Sequence, residues 1–147
     1  MKLASLEGCR TLADQVNNYL VSFRHESPTN VGQADSLQGY CADSYLLECE
    51  CPRFGSGEGK GVLKESVRGC DLFIMVDVTN YSLTYRVNGY ENHMSPDNHY
   101  QDLKRIISAA DGKARRINVI MPFLYEGRQH KRSKRESLDL SLIHISE

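Results

Sequence analysis

Asp71-Leu-Phe-Ile-Met-Val-Asp77 decides the fold class. Five consecutive apolar residues between two aspartates leave no polar face. The segment therefore reads as a strand buried on both faces, the pattern of a parallel sheet covered on both sides. Downstream, Ser95-Pro96-Asp97 reads as a helix start, with Pro96 in the first turn, where its missing N–H is not needed. Tyr100, Leu103, Ile107 and Ala110 recur at helical spacing, and Gly112 marks the stop. Ile117-Asn-Val-Ile-Met121 reads as a second buried strand, ended by Pro122. Strand, helix and strand make a βαβ unit, and the chain then leaves from a strand's carboxyl end. Ligands of open parallel sheets collect at such ends.

Working towards the amino terminus, residues 79–96 form a long polar stretch containing Tyr81, Tyr85, Tyr90, Asn92 and His93. It is too polar for a core and too aromatic for a plain linker. Arg53-Phe-Gly-Ser-Gly-Glu-Gly-Lys-Gly61 holds four glycines in nine residues. It lacks the strand-then-helix context of a phosphate-binding glycine motif and reads as a tight turn or hairpin. A strand over residues 44–51, stopped by Pro52, precedes it, and a short strand near residues 62–67 follows. Residues 25–39, rich in Ser, Pro, Asn, Gly and Gln, read as a loop or insertion. Leu12, Val16, Tyr19, Leu20 and Phe23 predict a core-facing amphipathic helix over about residues 11–24, opened by Gly8 or Thr11.

The chain has 147 residues, 40% hydrophobic and 25% charged, which fits one globular domain. No apolar run approaches the ~20 residues of a membrane span. Met1-Lys-Leu-Ala-Ser-Leu-Glu-Gly-Cys-Arg10 lacks the apolar stretch of a secretory signal. The five cysteines include no CxxC pair and read as free thiols of a reducing cytoplasm. Four zinc ligands at sensible spacing are not visible, and His93, His99 and His130 are not expected to hold magnesium or zinc. Net charge is −1, yet residues 1–100 carry 8 basic and 13 acidic side chains, and residues 101–147 carry 10 and 6. Five of the basic residues crowd into residues 128–135, a local field suited to a phosphate-bearing ligand. The aromatic interleaving of a single-strand binder is absent there, so no nucleic-acid partner is expected.

Arg53-Phe-Gly-Ser-Gly-Glu58, Glu65-Ser-Val-Arg-Gly69, the strand at residues 71–76 and Met121-Pro-Phe-Leu-Tyr-Glu-Gly-Arg-Gln129 occur in one order. Together they resemble the amino-terminal half of ribose-phosphate pyrophosphokinase over residues 45–139, and faintly over 1–24. The resemblance implies a phosphoribosyltransferase-like α/β fold, with a mostly parallel sheet flanked by helices, here its amino-terminal domain only. It also implies transfer of the terminal diphosphoryl group of ATP to ribose 5-phosphate, with Mg2+, in a homo-oligomer. Arg128 and Gln129 match a pair that contacts ATP, and His130 stands next to them as a hydrogen-bond donor to phosphate. Phe54 and Glu58 match a loop that holds adenine from the adjacent subunit. Ser66 and Arg68 match a regulatory phosphate site; the plainer reading of Arg68 is an ion pair with Glu65 or Asp71.

The pattern also departs from the family. His130 stands where many members have Asp, Ser133 where an acidic residue often sits, and Gly55-Ser-Gly57 where a loop usually carries an amide or carboxylate. Residues 79–96 read as an insertion relative to compact members. The family's magnesium-binding histidine, basic catalytic loop and acidic pentose-phosphate loop belong to a second half and have no match here. The chain is thus expected to hold ATP contacts, to have no catalytic residue of its own and to be inactive alone. Residues 1–139 read as the domain, and residues 140–147 as a tail, not native to it, from a truncated reading frame. The alternative is a non-catalytic nucleotide- or phosphate-binding regulatory subunit of such a synthetase.

Overall fold

The apolar run at residues 71–76 lies in the middle of a parallel sheet. The structure is a computed structural model and describes residues 1–26, 40–128 and 130–135. Its strands are β1 (Lys2–Ser5), β2 (Leu46–Leu47), β3 (Cys49–Glu50), β4 (Val62–Leu63), β5 (Asp71–Met75), β6 (Thr84–Val87), β7 (Tyr90–His93) and β8 (Arg116–Ile120). Two helices accompany them, α1 (Arg10–Glu26) and α2 (Pro96–Ala110). The main sheet runs β2-β1-β5-β8, with every neighbour parallel. The expected α/β fold is therefore present, and the βαβ unit is β5–α2–β8.

Side chains alternate across the sheet, as strand geometry requires. Ala4, Leu47, Leu72 and Ile74 pack with Leu103, Ile106 and Ala110 of α2 on one face. Leu3, Met75, Leu46 and Phe73 pack with Ala13 and Val16 of α1 on the other. Leu72 and Ile74 are completely buried, each contributing about 1.5–3 kcal/mol relative to exposure. Helix α2 is capped by Ser95, whose Oγ accepts from the Asn98 N–H at 3.3 Å, with Pro96 in the first turn. It ends at Asp111 and Gly112, both at positive φ.

Four expectations need correction. The buried face of α1 is Ala13 and Asn17, whereas Leu12, Tyr19 and Phe23 of the supposed core stripe are exposed. Its first turn follows a 3-10 turn at Glu7–Cys9, so the helix starts at Arg10. The strand expected at residues 44–51 is two strands. β2 joins the main sheet, and after Glu48 β3 pairs antiparallel with β4. The second strand is not buried: β8 is a sheet edge, and Val119 and Ile120 are exposed.

The polar stretch at residues 79–96 contains a hairpin, β6–β7, joined by Asn88 and Gly89 at φ 52 and 83. Two adjacent positive φ values make the tight turn whose twist matches a strand pair. The strand at Lys2–Ser5 went unpredicted. The assignments to Gln129 and to residues 140–147 lie outside the described residues, as does most of the expected loop at 25–39.

Candidate functional site

The parallel strands β1, β5 and β8 release the chain at one end of the sheet. There Gly8, Cys9, Leu12, Asp77, Thr79, Pro122 and Phe123 line a cleft of 330 Å³. Asp77 is fixed, because its Oδ1 accepts from the Thr79 N–H at 2.8 Å and the Thr79 hydroxyl at 2.7 Å. A Cβ at Gly8 would lie 3.3 Å from Asn80 Nδ2, so the β1 exit approaches the β5 exit closely.

Beyond β8 the chain turns at residues 124–127, where the Gly127 N–H donates to the Leu124 carbonyl at 3.2 Å. Tyr125 pins this turn to α2. Its ring stacks on Tyr100 at 4.2 Å, and its hydroxyl donates to Asp97 Oδ1 at 2.6 Å. Arg128 and His130 follow directly and are exposed. A fixed start therefore delivers the basic segment to the carboxyl end of the sheet.

Phe54 and Glu58 share one turn, as the glycines predicted. The Phe54 N–H donates to the Glu58 carbonyl at 2.7 Å, and Arg53 and Gly59 form an antiparallel bridge. Gly57 has φ 91, and Ser56 Oγ donates to Glu58 Oε2 at 2.8 Å. The Phe54 ring is exposed. Behind the turn, Asp102 of α2 receives Arg53 at 2.8 Å and Arg105 at 2.5 Å. Burial pushes the Asp102 carboxyl upward, and the two guanidiniums pull against that push. Arg53 also lies over the Tyr85 ring of β6, 5.0 Å from its centre.

Between this turn and β1 lies a cavity of 520 Å³, to which Arg10, Cys49, Cys51, His99 and Asp102 contribute. His99 is buried and donates from Nε2 to the Asn80 carbonyl at 2.8 Å. Burial raises the Cys49 thiol to about 11 and the Cys51 thiol to about 12. Both stay protonated at neutral pH, which makes them poor nucleophiles.

Ser66 and Arg68 lie on the loop before β5, at the opposite end of the sheet from Arg128. Ser66 Oγ accepts from the Arg68 N–H at 3.3 Å. The two carboxylates expected to pair with Arg68 are engaged elsewhere: Glu65 with Lys2, and Asp71 with Arg115. Sequence reasoning took up His99 only as a metal ligand and passed over Asp102; on α2 they directly precede the stripe residues Tyr100 and Leu103. Among the described residues, no three His, Cys, Asp or Glu side chains converge as a metal cage. The carboxyl-end cleft offers one carboxylate, Asp77, which suits a magnesium ion carried mainly by phosphate oxygens and water rather than by protein. No helix among the described residues is long and apolar enough to cross a membrane.

A family model for the N-terminal domain of ribose phosphate pyrophosphokinase matches residues 1–145. Ribose-phosphate pyrophosphokinases of Corynebacterium ammoniagenes and Bacillus cereus are each 30% identical over 100 residues, covering 67% of this chain and 27% of the relative. The fold is similar to phosphoribosylpyrophosphate synthetase from Mycobacterium smegmatis, with TM-score 0.63 and 23% identity, over 99% of this chain and 37% of that one. The matched 100 residues thus span about a quarter of the curated relatives' length.

Proposed function

Because the chain belongs to the ribose-phosphate pyrophosphokinase family, as its amino-terminal domain, we propose that it supplies the ATP-holding part of a ribose-phosphate diphosphokinase. In that reaction the anomeric hydroxyl oxygen of ribose 5-phosphate attacks the β-phosphorus of ATP. The bond from that phosphorus to the α-phosphate oxygen breaks, AMP leaves, and the hydroxyl proton is lost to a base or solvent. Such transfers depend on positioning and on neutralising charge at phosphate oxygens.

The observation that carries the reading is the placement of Arg128 and the basic residues after it, directly beyond the carboxyl end of β8. Arg128 presents a planar, permanently charged fork to phosphate oxygens. Gln129, next in sequence, carries an amide able to donate and accept, and His130 adds a hydrogen bond to phosphate. Phe54 gives a stacking face and Glu58 an acceptor for the amine of adenine, reaching the nucleotide bound by a second copy of the chain. Magnesium, when bound, neutralises the phosphate oxygens. No catalytic group is assigned to this chain. Ser66 and Arg68, at the far end of the sheet, fall to a separate regulatory phosphate.

The test is equilibrium binding of ATP in the presence of magnesium to the unaltered chain and to Arg128→Ala. The expected result is saturable binding, weakened at least tenfold by the substitution and weakened further by salt. Absence of binding, or indifference to Arg128→Ala, overturns the reading.

A further inference from the structure

Two strand ribbons, β3–β4 and β6–β7, each leave an edge unpaired. In an antiparallel pair residues alternate: one exchanges backbone hydrogen bonds with its partner, and the next turns its N–H and C=O outward. In β3–β4 the inward bonds include Lys64 N–H to the Glu48 carbonyl, and the same register continues as Lys60 N–H to the Pro52 carbonyl. Cys49, Cys51 and Arg53 therefore turn their backbone groups away from β4. In β6–β7 the Met94 N–H donates to the Leu83 carbonyl, which puts the backbone groups of Tyr85 inward and those of Thr84 outward. Among the described residues, the backbone groups of Cys51 and Thr84 have no hydrogen-bond partner.

These two open edges border one space. The 520 Å³ cavity takes residues 49–53 from one ribbon and residues 82–85 from the other, both as unbroken runs. A strand that turns its face to a space lines it with every second residue, whereas one that turns its edge lines it with consecutive residues. The cavity is thus a slot between two strand edges. Its volume falls in the range of roughly 300–1,000 Å³ that ligand pockets occupy. Arg53 reaches across it to the Tyr85 ring, and Leu6, Met94 and His99 give it a buried floor. The charged groups on its wall are already paired: Glu7 with Arg10, Glu50 with Lys64 and Asp102 with Arg53. What the slot offers unpaired is main-chain N–H and C=O, and an extended peptide is the partner that matches both edges at once.

We propose that this slot binds an extended, uncharged segment of a partner protein, which adds as a strand between β3 and β6 and joins the two ribbons into one sheet. Strand addition takes its affinity from main-chain hydrogen bonds and its specificity from alternate side chains, here those aimed at the apolar floor. The test uses the full chain and a short blocked peptide of alternating threonine and valine. Two further copies carry N-methyl groups on alternate residues, so that each strips the donors from one edge of the strand. Two-dimensional NMR follows binding at millimolar peptide. The parent peptide is expected to bind saturably and to shift the amide signals of Cys51 and Thr84. Each N-methylated copy is expected to bind at least about tenfold more weakly, the effect of a main-chain hydrogen bond left unmade. Thr84→Pro removes an outward N–H and no β6–β7 bond, and is expected to weaken the parent peptide by a similar factor. Circular dichroism checks that variant's fold, and if it unfolds the N-methyl comparison decides alone. No saturable binding of the parent peptide, or equal binding of the N-methylated copies, overturns the proposal. Binding that shifts the amides of β8 instead of Cys51 and Thr84 places the peptide on the open edge of the main sheet and likewise overturns it.

Discussion

Arg53 and Asp102, 49 positions apart in sequence, meet through a guanidinium nitrogen and a carboxylate oxygen 2.8 Å apart. Their side chains are only 10% and 5% exposed. Arg105 takes the other carboxylate oxygen, so one buried anion serves two cations. Such a cluster need not add net stability, because desolvation offsets attraction. Removing one partner is the costly event, since it leaves buried charge uncompensated. Asp102→Ala is expected to lower unfolding free energy by about 3–5 kcal/mol. Urea titration followed by circular dichroism measures this, and a loss below about 1 kcal/mol would show an exposed-type pair.

Gly61 makes the same neighbourhood intolerant of a side chain. A Cβ there would lie 2.4 Å from the Arg105 carbonyl oxygen, which is backbone of α2 and cannot rotate away. At Gly55, in the same glycine-rich segment, a Cβ would meet nothing within 4 Å. Gly61→Ala is expected to cost about 1–3 kcal/mol through forced backbone shifts. Gly55→Ala, at an open surface site, should stay within about 0.5 kcal/mol. Equal denaturant midpoints for the two variants would refute this contrast.

The central strand and the cap of α2 were legible because each rests on a local signal: an unbroken apolar run in one case, Ser95-Pro96 in the other. The turn holding Phe54 and Glu58 was legible from its glycines. What failed needed partners distant in sequence. Leu12, Tyr19 and Phe23 have helical spacing, but spacing alone does not say which side of α1 meets the sheet, and Ala13 and Asn17 meet it. β1 is four residues long and gains its stability from β2 and β5 on either side. The hairpin did carry a local signal, Asn88-Gly89 between alternating residues, and reading that stretch only for polarity hid it. Asp102 carries no local signal, because its partner Arg53 comes from the turn 49 positions away.

Asn17 shows how α1 is fixed to the sheet. It is buried, and its Oδ1 accepts from the Tyr45 N–H at 2.8 Å and from Ser44 Oγ at 3.3 Å. Removing that acceptor strands a buried backbone donor, at about 1–3 kcal/mol. Asn17→Ala should show this loss in a urea titration. Asn17→Asp, which keeps an acceptor, should lose less at neutral pH. The reverse order would mean that the helix is held by packing alone.

The thiols give the pH dependence. Burial raises Cys9 and Cys49 from the ordinary 9.0 to about 11, and Cys51 to about 12. A group whose folded value lies above its unfolded one favours folding while protonated. Its contribution is fully present below pH 9 and is lost as pH rises towards 11 or 12, because the unfolded chain releases the proton first. Stability should therefore fall through that window. The thiolate is the reactive form, so the same burial suppresses alkylation. Iodoacetamide at pH 8, read by peptide mass spectrometry, should label exposed Cys41 first and leave Cys9 and Cys49 until urea is added. Labelling of Cys49 as fast as Cys41 in the native protein would mean that β3 opens readily, and that the wall it gives the 520 Å³ cavity is not a fixed one.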